Sequence, residues 1–370
     1  MRTKLCRTGP VPLLAFPVAA LVFFLYGCAS DVVTRAVRTD RFEFNEAIVQ
    51  SWNEQLLLNL VRLRYRDNPL FLEMGSIITG YTLKGNAGVS GGIIFTPQST
   101  EDLRLNLGGE YTIAPTLTYT PLQGEDFATR LLSPMTPLTI LYLSHSGWSV
   151  ARLFTVCVQE ANTIPNAVSA SGPTPDNAPE FDSFRELTDA LRELQVKGLL
   201  LIALDTDGKT VLLHIMKGKG KVEDAAVAVV RRILALEPDT SVYRVKSALV
   251  RESANEIAVM GRSLLSVMFF LSQAVEVPPL HETQGKVTVT RRSNGQRFDW
   301  SELTGKVFRV MSSEVLPEDA FVRVFYRGHW FYVADTDLNS KTTFNLLTYL
   351  FNLKAAGKTT QEPLMTYPVR

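Results

Sequence analysis

The spacing of the apolar residues changes near residue 70, and this change constrains the fold more than any other feature of the sequence. Between Phe42 and Arg66 the apolar residues recur at intervals of three or four, which places them on one face of a helix. From Phe71 to Pro121 they recur at every second position, the pattern of strands with one apolar and one polar face. The sequence therefore predicts a long helix followed by an antiparallel sheet.

Two alternating sets define the strands of this predicted sheet. The first set comprises Ala87, Val89, Gly91, Ile93 and Phe95. The second occupies the odd positions from Leu103 to Tyr119. Turns are predicted at Lys84-Gly85-Asn86 and at Pro97–Asp102, because both stretches are rich in turn-forming residues. Pro115 is predicted either to break the second set into two strands or to mark an edge strand.

Helical and strand patterns follow each other through the rest of the chain without strict alternation, so both halves are predicted to be α+β, the second with hairpins and packed helices. A strand is predicted at Arg152–Val158 and a buried helix at Glu256–Val275. Residues 163–180 carry four prolines among Ser, Ala, Asn and Gly, a composition typical of a solvated linker. The predicted division is a helix plus antiparallel β domain at 42–162, a Pro-rich linker at 163–180 and an α+β domain at 181–370.

The N-terminal residues have the form of an export signal. Arg2, Lys4 and Arg7 form a basic start, and the apolar run Val11–Leu25 is too short to span a membrane comfortably. The run ends in Leu25-Tyr26-Gly27-Cys28, which resembles the lipobox of bacterial lipoproteins. The resemblance implies cleavage before Cys28 and attachment of lipid to that cysteine.

The lipobox resemblance also implies where the protein resides. Residues 1–27 are then a signal peptide, and residues 28–41 are a lipidated tether that holds the chain at the membrane through acyl chains such as palmitate. In that family, Ala29 after the cysteine favours the outer membrane, here on its periplasmic side. An uncleaved signal anchor, or cleavage at another position, is the alternative.

The cysteines and the net charge argue against a disulfide, a cysteine nucleophile and nucleic-acid binding. Cys6 leaves with the signal and Cys28 carries the lipid, so Cys157 is left alone and no internal disulfide is expected. Cys157 lies in the apolar run 153–158 and is predicted to be a buried core residue rather than a nucleophile. The net charge of +1 gives no general attraction to nucleic acid, which is therefore not predicted as a partner.

Three short motifs match functional patterns in part. Gly88-Val89-Ser90-Gly91-Gly92 fits the G-x-S-x-G string of serine hydrolases, but a strand pattern continues where that motif needs a helix, so a chance match is preferred. Gly218-Lys219-Gly220-Lys221 lies where a phosphate-binding loop would lie, yet an ordinary basic turn is preferred because the spacing differs. Arg62, Arg64 and Arg66 could bind phosphates or headgroups, and a solvated helix end is the preferred interpretation.

The histidines offer little metal or cofactor chemistry. They are His145, His214, His281 and His329. No pair has the spacing of a metal site, so neither a metal nor a cofactor is predicted. His329 precedes Asp335 and Asp337, and such a group could carry out acid–base chemistry. A structural hairpin with a helix-capping aspartate is the preferred interpretation of this stretch.

Three classes of function stay open. The preferred class is a non-catalytic cell-envelope lipoprotein that binds other envelope proteins as a scaffold or assembly component. The second is an envelope enzyme acting on the cell wall or an exported polymer, although the sequence contains no complete catalytic constellation. The third is an oligomeric outer-membrane pore to which each chain contributes β-hairpins. An ordinary half-buried sheet is preferred for these strands, with a core in contact with Leu105, Leu107, Ile113 and Leu117.

Overall fold

The computed structural model describes residues 42, 44–90, 104–216 and 221–355 of the chain. The described part is a mixed α+β protein, as the sequence predicts, with one six-stranded sheet, one three-stranded sheet and one two-stranded ribbon. The predicted signal peptide, Cys28 and the predicted tether at 28–41 lie outside the described residues, so lipidation stays a prediction.

The predicted long helix is present as α1, residues 44–64, and its apolar stripe enters the core. Leu56 and Leu60 are fully buried, while Phe42 near the start of the helix is exposed. The helix ends at Arg64, and Arg66, whose φ of 59° lies in the left-handed region, turns the chain. The chain then enters an antiparallel ribbon formed by two strands, β1 (Leu72–Ser90) and β2 (Arg104–Pro121).

The ribbon confirms the antiparallel pairing and corrects one predicted turn. β1 continues through Lys84-Gly85-Asn86, with Lys84 opposite Glu110 and Gly85 opposite Gly109, so no chain reversal occurs there. Opposite charges at paired positions favour continuation of the ladder, and a glycine inside a strand does not by itself require a turn. Pro115 lies opposite Thr79 within an unbroken β2, which pairs only with β1 in the described residues and is therefore an edge strand.

Three short helices follow the ribbon, and the third replaces a predicted strand. They are α2 (Glu125–Leu132), α3 (Pro137–His145) and α4 (Val150–Cys157). The predicted strand Arg152–Val158 is wrong, because Ser149 begins a helix by accepting a hydrogen bond from the Arg152 backbone N–H. A short apolar run fits a buried helix and a buried strand equally well, so its periodicity could not separate them. Cys157 is fully buried, as predicted.

The six-stranded sheet has the order β4-β3-β8-β7-β6-β5, and its neighbouring strands are antiparallel except for the parallel pair β7 and β8. Its strands are β3 (Val158–Ala161), β4 (Ile164–Pro165), β5 (Leu200–Leu204), β6 (Val211–Ile215), β7 (Val242–Ser247) and β8 (Glu256–Gly261). Helices α5 (Asp182–Val196) and α6 (Lys221–Ile233) contribute buried residues to the same core. A hairpin across Asp205–Gly208 joins β5 to β6, in agreement with the hairpins predicted for the second half of the chain.

The predicted helix Glu256–Val275 is wrong in its first third. Residues Glu256–Gly261 form β8, and the helix α7 begins only at Leu264 and extends to Ser272. Ser263 caps α7, because its hydroxyl accepts a hydrogen bond from the Ser266 backbone N–H. Gly261 at the end of β8 permits a close approach of the Met135 backbone, since a Cβ there would lie 2.1 Å from the Met135 carbonyl oxygen.

The C-terminal part forms a second, smaller sheet covered by a long helix. Its strands are β9 (Met311–Ser313), β10 (Ala320–Tyr326) and β11 (His329–Ala334), in the order β10-β11-β9. Before it lie the short helices α8 (Pro279–Thr283) and α9 (Ser301–Thr304). The final helix, α10 (Leu338–Ala355), brings Phe344, Leu347 and Phe351 into the same hydrophobic core as α1, α4, α5 and α7.

The stretch 163–180 is folded into the body of the protein. It contains β4 and a short 3₁₀ helix, Val168–Ser171, and Asn166, Ala170 and Thr174 are buried. The prediction that this stretch is solvated is therefore wrong for these residues. Whether the chain divides into two domains here stays a prediction.

Arg262 lies at the centre of the described fold with its side chain fully buried. Its guanidinium donates hydrogen bonds to the backbone carbonyls of Thr155 and Val158, at 2.9 and 2.8 Å, and to that of Asn166. It also donates to the Ser171 hydroxyl at 2.9 Å, and its Cζ lies 4.1 Å from the centre of the Phe270 ring. These bonds satisfy carbonyls at the end of α4 that the helix itself leaves unpaired.

Replacement of Arg262 by alanine should destabilise the protein severely. Several buried carbonyls would lose their donors, and each buried unsatisfied polar group costs about 1–3 kcal/mol. We expect the free energy of unfolding to fall by more than ~3 kcal/mol in denaturant titrations. The control is Arg232→Ala, which removes a solvent-exposed ion pair with Glu186 and should change stability by less than ~1 kcal/mol. Equal effects of the two substitutions would contradict this role of Arg262.

Candidate functional site

The base of the ribbon is fixed to α1 by two side-chain amides. Asn59 is fully buried; its Nδ2 donates to the Leu70 carbonyl at 2.8 Å and its Oδ1 accepts from the Leu70 N–H at 3.0 Å. Gln55 accepts a hydrogen bond from the Leu72 N–H at 3.1 Å. Below these contacts Phe71 packs against Phe127 and Phe351, with ring centres 5.7 and 5.3 Å apart. The ribbon therefore leaves the body at a defined position.

The pairing register of the ribbon places most of its apolar residues on one face and most of its polar residues on the other. Directly paired residues of antiparallel strands lie on the same face, and alternate residues along a strand share that face. One face holds apolar pairs, which are Val89 with Leu105, Ala87 with Leu107, Leu83 with Tyr111, Tyr81 with Ile113 and Ile77 with Leu117. The other holds mainly polar or small pairs, including Gly88 with Asn106, Lys84 with Glu110, Thr82 with Thr112 and Ser76 with Thr118. Ala87 and Val89 of the first predicted set thus share one face with the odd positions 105–117 of the second, while Gly91, Ile93, Phe95 and Leu103 lie outside the described residues.

A cluster of titratable side chains lies beside this base, at the C-terminal end of α1. The Tyr65 hydroxyl lies 2.7 Å from Nδ1 of His281, and the rings of His281 and His329 have their centres 4.9 Å apart. Burial raises the pKa of Tyr65 to about 12, so its hydroxyl stays protonated and can donate a hydrogen bond to a neutral His281 ring. Burial and the nearby charges of Lys286, His329 and Arg327 lower the pKa of His281, which favours the neutral ring that accepts this bond.

An ion pair connects the same end of α1 to the β10–β11 hairpin. Nη2 of Arg327 lies 2.8 Å from the Asp67 carboxylate, which also accepts a hydrogen bond from the Tyr326 hydroxyl. Burial raises the pKa of Asp67, but the bonds from Tyr326 and Arg327 outweigh this effect and lower it overall. The Arg327 guanidinium also lies over the Tyr65 ring, 5.2 Å from its centre. Together with the Tyr65–His281 contact, this ion pair connects the end of α1, α8 and the β10–β11 hairpin.

The structure separates the predicted group His329, Asp335 and Asp337. His329 begins β11, and six residues of extended chain cover about 20 Å, which carries Asp335 to the other end of the strand. Asp335 instead pairs with Lys341 at 2.6 Å. Asp337 accepts hydrogen bonds from the backbone N–H and the hydroxyl of Ser340, so it caps α10, and this part of the preferred interpretation is confirmed.

The other candidate residues have structural surroundings. His145 bonds to the Ile202 carbonyl at 2.7 Å, and His214 lies within β6 opposite Leu201 and Val242. Burial raises the pKa of the Cys157 thiol to about 12, which suits a core residue and not a nucleophile. Ser90 is the last residue of β1, while Gly91, Gly92 and residues 217–220 of the glycine–lysine stretch lie outside the described residues.

One of the three clustered arginines contradicts the sequence interpretation. Arg66 is exposed, and Arg62 is partly exposed, as a solvated helix end requires. Arg64, however, is only 4% exposed and lies among Thr174, Thr288 and Gln273. Sequence reasoning also missed Tyr65 and His281, since 216 positions separate the two partners.

Comparisons with protein-family models, with curated proteins and with solved structures gave no match for this chain. Within the described ranges no three or more His, Cys, Asp or Glu residues are grouped so that they could hold a metal ion. No helix among those residues is both long and apolar enough to cross a membrane.

The buried histidine should make the protein less stable in mild acid. Because folding lowers the pKa of His281, the unfolded chain binds more protons than the folded one once the pH falls below ~6.5. This contribution to stability is complete above that pH and decreases below it, by at most about 1.4 kcal/mol per pH unit. Denaturant titrations between pH 7.5 and 5 should show the decrease in the wild type and a shallower one in His281→Gln, whose amide oxygen can still accept from Tyr65.

The matched control for this experiment is His214→Gln, which removes a histidine outside the cluster. It should keep the wild-type pH dependence. The lowered pKa of Asp67 places its own loss of stability below about pH 4, outside the measured range. Identical slopes in His281→Gln and the wild type would contradict the proposed origin of the acid sensitivity.

Proposed function

We propose that this chain is a non-catalytic lipoprotein of a bacterial cell envelope and that it acts as a component of a protein assembly. Cys28 anchors it to the outer membrane, and its partners are envelope proteins, including further copies of the same chain. The observation that carries the proposal is the β1–β2 ribbon, whose register collects apolar residue types of both strands on one face.

The unpaired edges of the ribbon support a function in which several chains assemble. Each of its strands has one neighbour among the described strands, which leaves one row of backbone N–H and C=O groups per strand available for pairing. A two-stranded ribbon is at best marginally stable alone in water, so it gains stability when further strands extend it. Pairing of β1 in one copy with β2 in the next uses two different edges, and such head-to-tail contacts form a ring where the rotation between successive copies closes.

More specifically, we propose that the assembly is a pore, and the length of the ribbon supports this proposal. At about 3.3 Å per residue, the 19 residues of β1 extend about 60 Å, twice the thickness of a membrane's hydrocarbon core. A ring of such ribbons would place the apolar face against lipid and the face with Lys84, Thr112 and Glu110 toward water. The fixed base at Asn59 then sets the angle at which each ribbon leaves its body.

The enzyme alternative receives less support from the geometry. It requires His329 beside Asp335 and a further ionisable group in one pocket. His329 instead has its nearest ion-pair partner in the exposed Glu314, at 3.9 Å, and Asp335 is paired with Lys341. The neighbour of His329 within the cluster is His281, which is buried and bonded to Tyr65.

A charge on the apolar face should abolish assembly, whereas a charge one residue away should not. Leu107 and Asn106 are adjacent in β2 but belong to opposite faces of the ribbon. We expect Leu107→Asp to be monomeric in detergent by size-exclusion chromatography with light scattering, and Asn106→Asp to keep the wild-type mass. Neither variant should change Tm of the body by more than about 3 °C, because the ribbon's strands pair only with each other in the described chain.

Two results would contradict this proposal. If Leu107→Asp lowers Tm by more than about 10 °C, its face packs against the core, as an ordinary half-buried sheet requires. If both variants remain assembled, the ribbon does not join the chains.

The lipid anchor is tested separately at Cys28. Cys28→Ser cannot be acylated, and each lost buried methylene removes about 0.8 kcal/mol of membrane affinity. We expect the variant to leave the detergent-extracted membrane fraction or to accumulate with its signal uncleaved, and a fatty-acid label to appear on the wild type only. Normal processing, unchanged fractionation and an unlabelled wild type would together exclude the lipoprotein proposal.

A further inference from the structure

A cleft of about 750 Å³ opens on the side of the body where α1 ends. This volume lies within the range of pockets that bind small organic molecules. Its apolar wall includes Val275, Phe298 and Phe308, and its polar wall includes Arg64, Arg297 and Arg309. Three arginines line it, of which Arg309 pairs with Glu276 and Arg297 with Glu282, so Arg64 is the arginine of this lining without an ion-pair partner among the described residues.

Arg64 is a buried cation with only neutral partners. Its Nη1 donates to the Thr174 hydroxyl at 3.1 Å and to the Thr288 carbonyl at 3.3 Å. Its Nε is buried and finds no acceptor among the described residues, and no described carboxylate lies within 4 Å of its guanidinium. The nearby Glu282 is bonded to Arg297 at 2.5 Å. Burial lowers the pKa of Arg64 to about 10, so it keeps its charge at neutral pH.

A second buried donor lines the same cleft. The indole Nε1 of Trp300 is buried and has no hydrogen-bond partner in the described part of the chain, although Trp300 itself is 8% exposed. A buried N–H group without an acceptor costs about 1–3 kcal/mol, and an uncompensated buried charge costs more. Both residues line the same cleft, so an acceptor bound there could pair donors that the described residues leave without a partner.

We propose that this cleft binds a small organic anion, with one carboxylate or phosphate group held by Arg64 Nε and Trp300 Nε1 and with an apolar, ring-sized body on Val275, Phe298 and Phe308. An oxyanion supplies acceptor lone pairs to donors that have no acceptor, and its charge balances that of Arg64. The apolar body fills the volume that the anionic group alone would leave. The site is independent of the ribbon and of the proposed assembly.

Calorimetric titration of the purified full-length protein tests the site with three probes. Phenyl phosphate and phenylacetate carry the two anionic groups on the same ring, and p-cresol is the neutral control. At constant ionic strength we expect one of the two anions to bind at one site per chain with Kd below ~1 mM, and p-cresol to bind at least ~10-fold more weakly. The anion that binds more tightly identifies the ligand class as a phosphate ester or a carboxylic acid.

Variants of the two donors separate this site from general attraction to a basic surface. Arg64→Met should weaken binding by at least ~10-fold, and Trp300→Phe, which removes one hydrogen bond, by about 5-fold. Arg62→Met removes the same charge two residues earlier on α1, at a residue that does not line the cleft, and should keep the wild-type Kd.

If Arg64→Met does not fold, Trp300→Phe decides the question, with a loss of binding supporting the site and an unchanged Kd excluding it. Absence of saturable binding of either anion up to ~10 mM would also exclude it. Equal binding of p-cresol would show that the cleft does not select anions.

Discussion

The hydrogen bonds of one buried guanidinium determine how the central elements meet. Arg262 directly follows β8, the strand that pairs with β3, and its donors reach back to the end of α4 and across to the 3₁₀ helix. Asn166 adds a second set of donors to the same carbonyls, at 2.9 Å from Thr155 and 2.6 Å from Val158. A helix that stops inside the core leaves several carbonyls without partners, and these two side chains supply the missing donors. The stretch 163–180 is consequently held inside the fold despite its loop-like composition.

The ribbon is held in another way. Its two strands pair only with each other among the described strands, and hydrogen bonds at Leu70 and Leu72 attach its base to α1. Asn59 satisfies both backbone groups of Leu70, so the first residue pairs of the ribbon inherit the position of α1. Beyond that base, apolar and polar residues alternate along each strand. The pairing register keeps this alternation aligned between the two strands, apart from a shift between Met74 and Ser76. Such a segment is suited to take its final surroundings from other molecules, whereas the body takes them from its own core.

The extent to which the sequence predicts this structure depends on how much information a segment carries by itself. The helix α1 and the strand β2 could be predicted, because each repeats its period over many residues. The strand β1 could be predicted only in part, since the sequence predicts a turn at Lys84-Gly85-Asn86, where the strand continues. The runs at α4 and β8 could not, because eight or fewer apolar residues fit a buried helix and a buried strand alike. At α4 the donors for the carbonyls at the helix end come from Asn166 and Arg262, which are distant in sequence. Asn59 left a visible trace, as a polar residue within the apolar stripe of α1 between Leu56 and Leu63. The Tyr65–His281 contact left none, since only the folded chain brings the two together.

The end of α1 and the residues directly after it contact the cleft, the histidine cluster and the ribbon. Consecutive helical residues point about 100° apart, so neighbouring positions reach different parts of the body. Arg64 lines the cleft, Tyr65 contacts His281, and Asp67 binds the β10–β11 hairpin through Arg327. Three residues beyond Asp67, Leu70 is fixed to Asn59 and the ribbon begins. The segment 64–70 therefore contacts the cleft, His281, the β10–β11 hairpin and Asn59, so one short stretch of chain fixes the relative positions of these features.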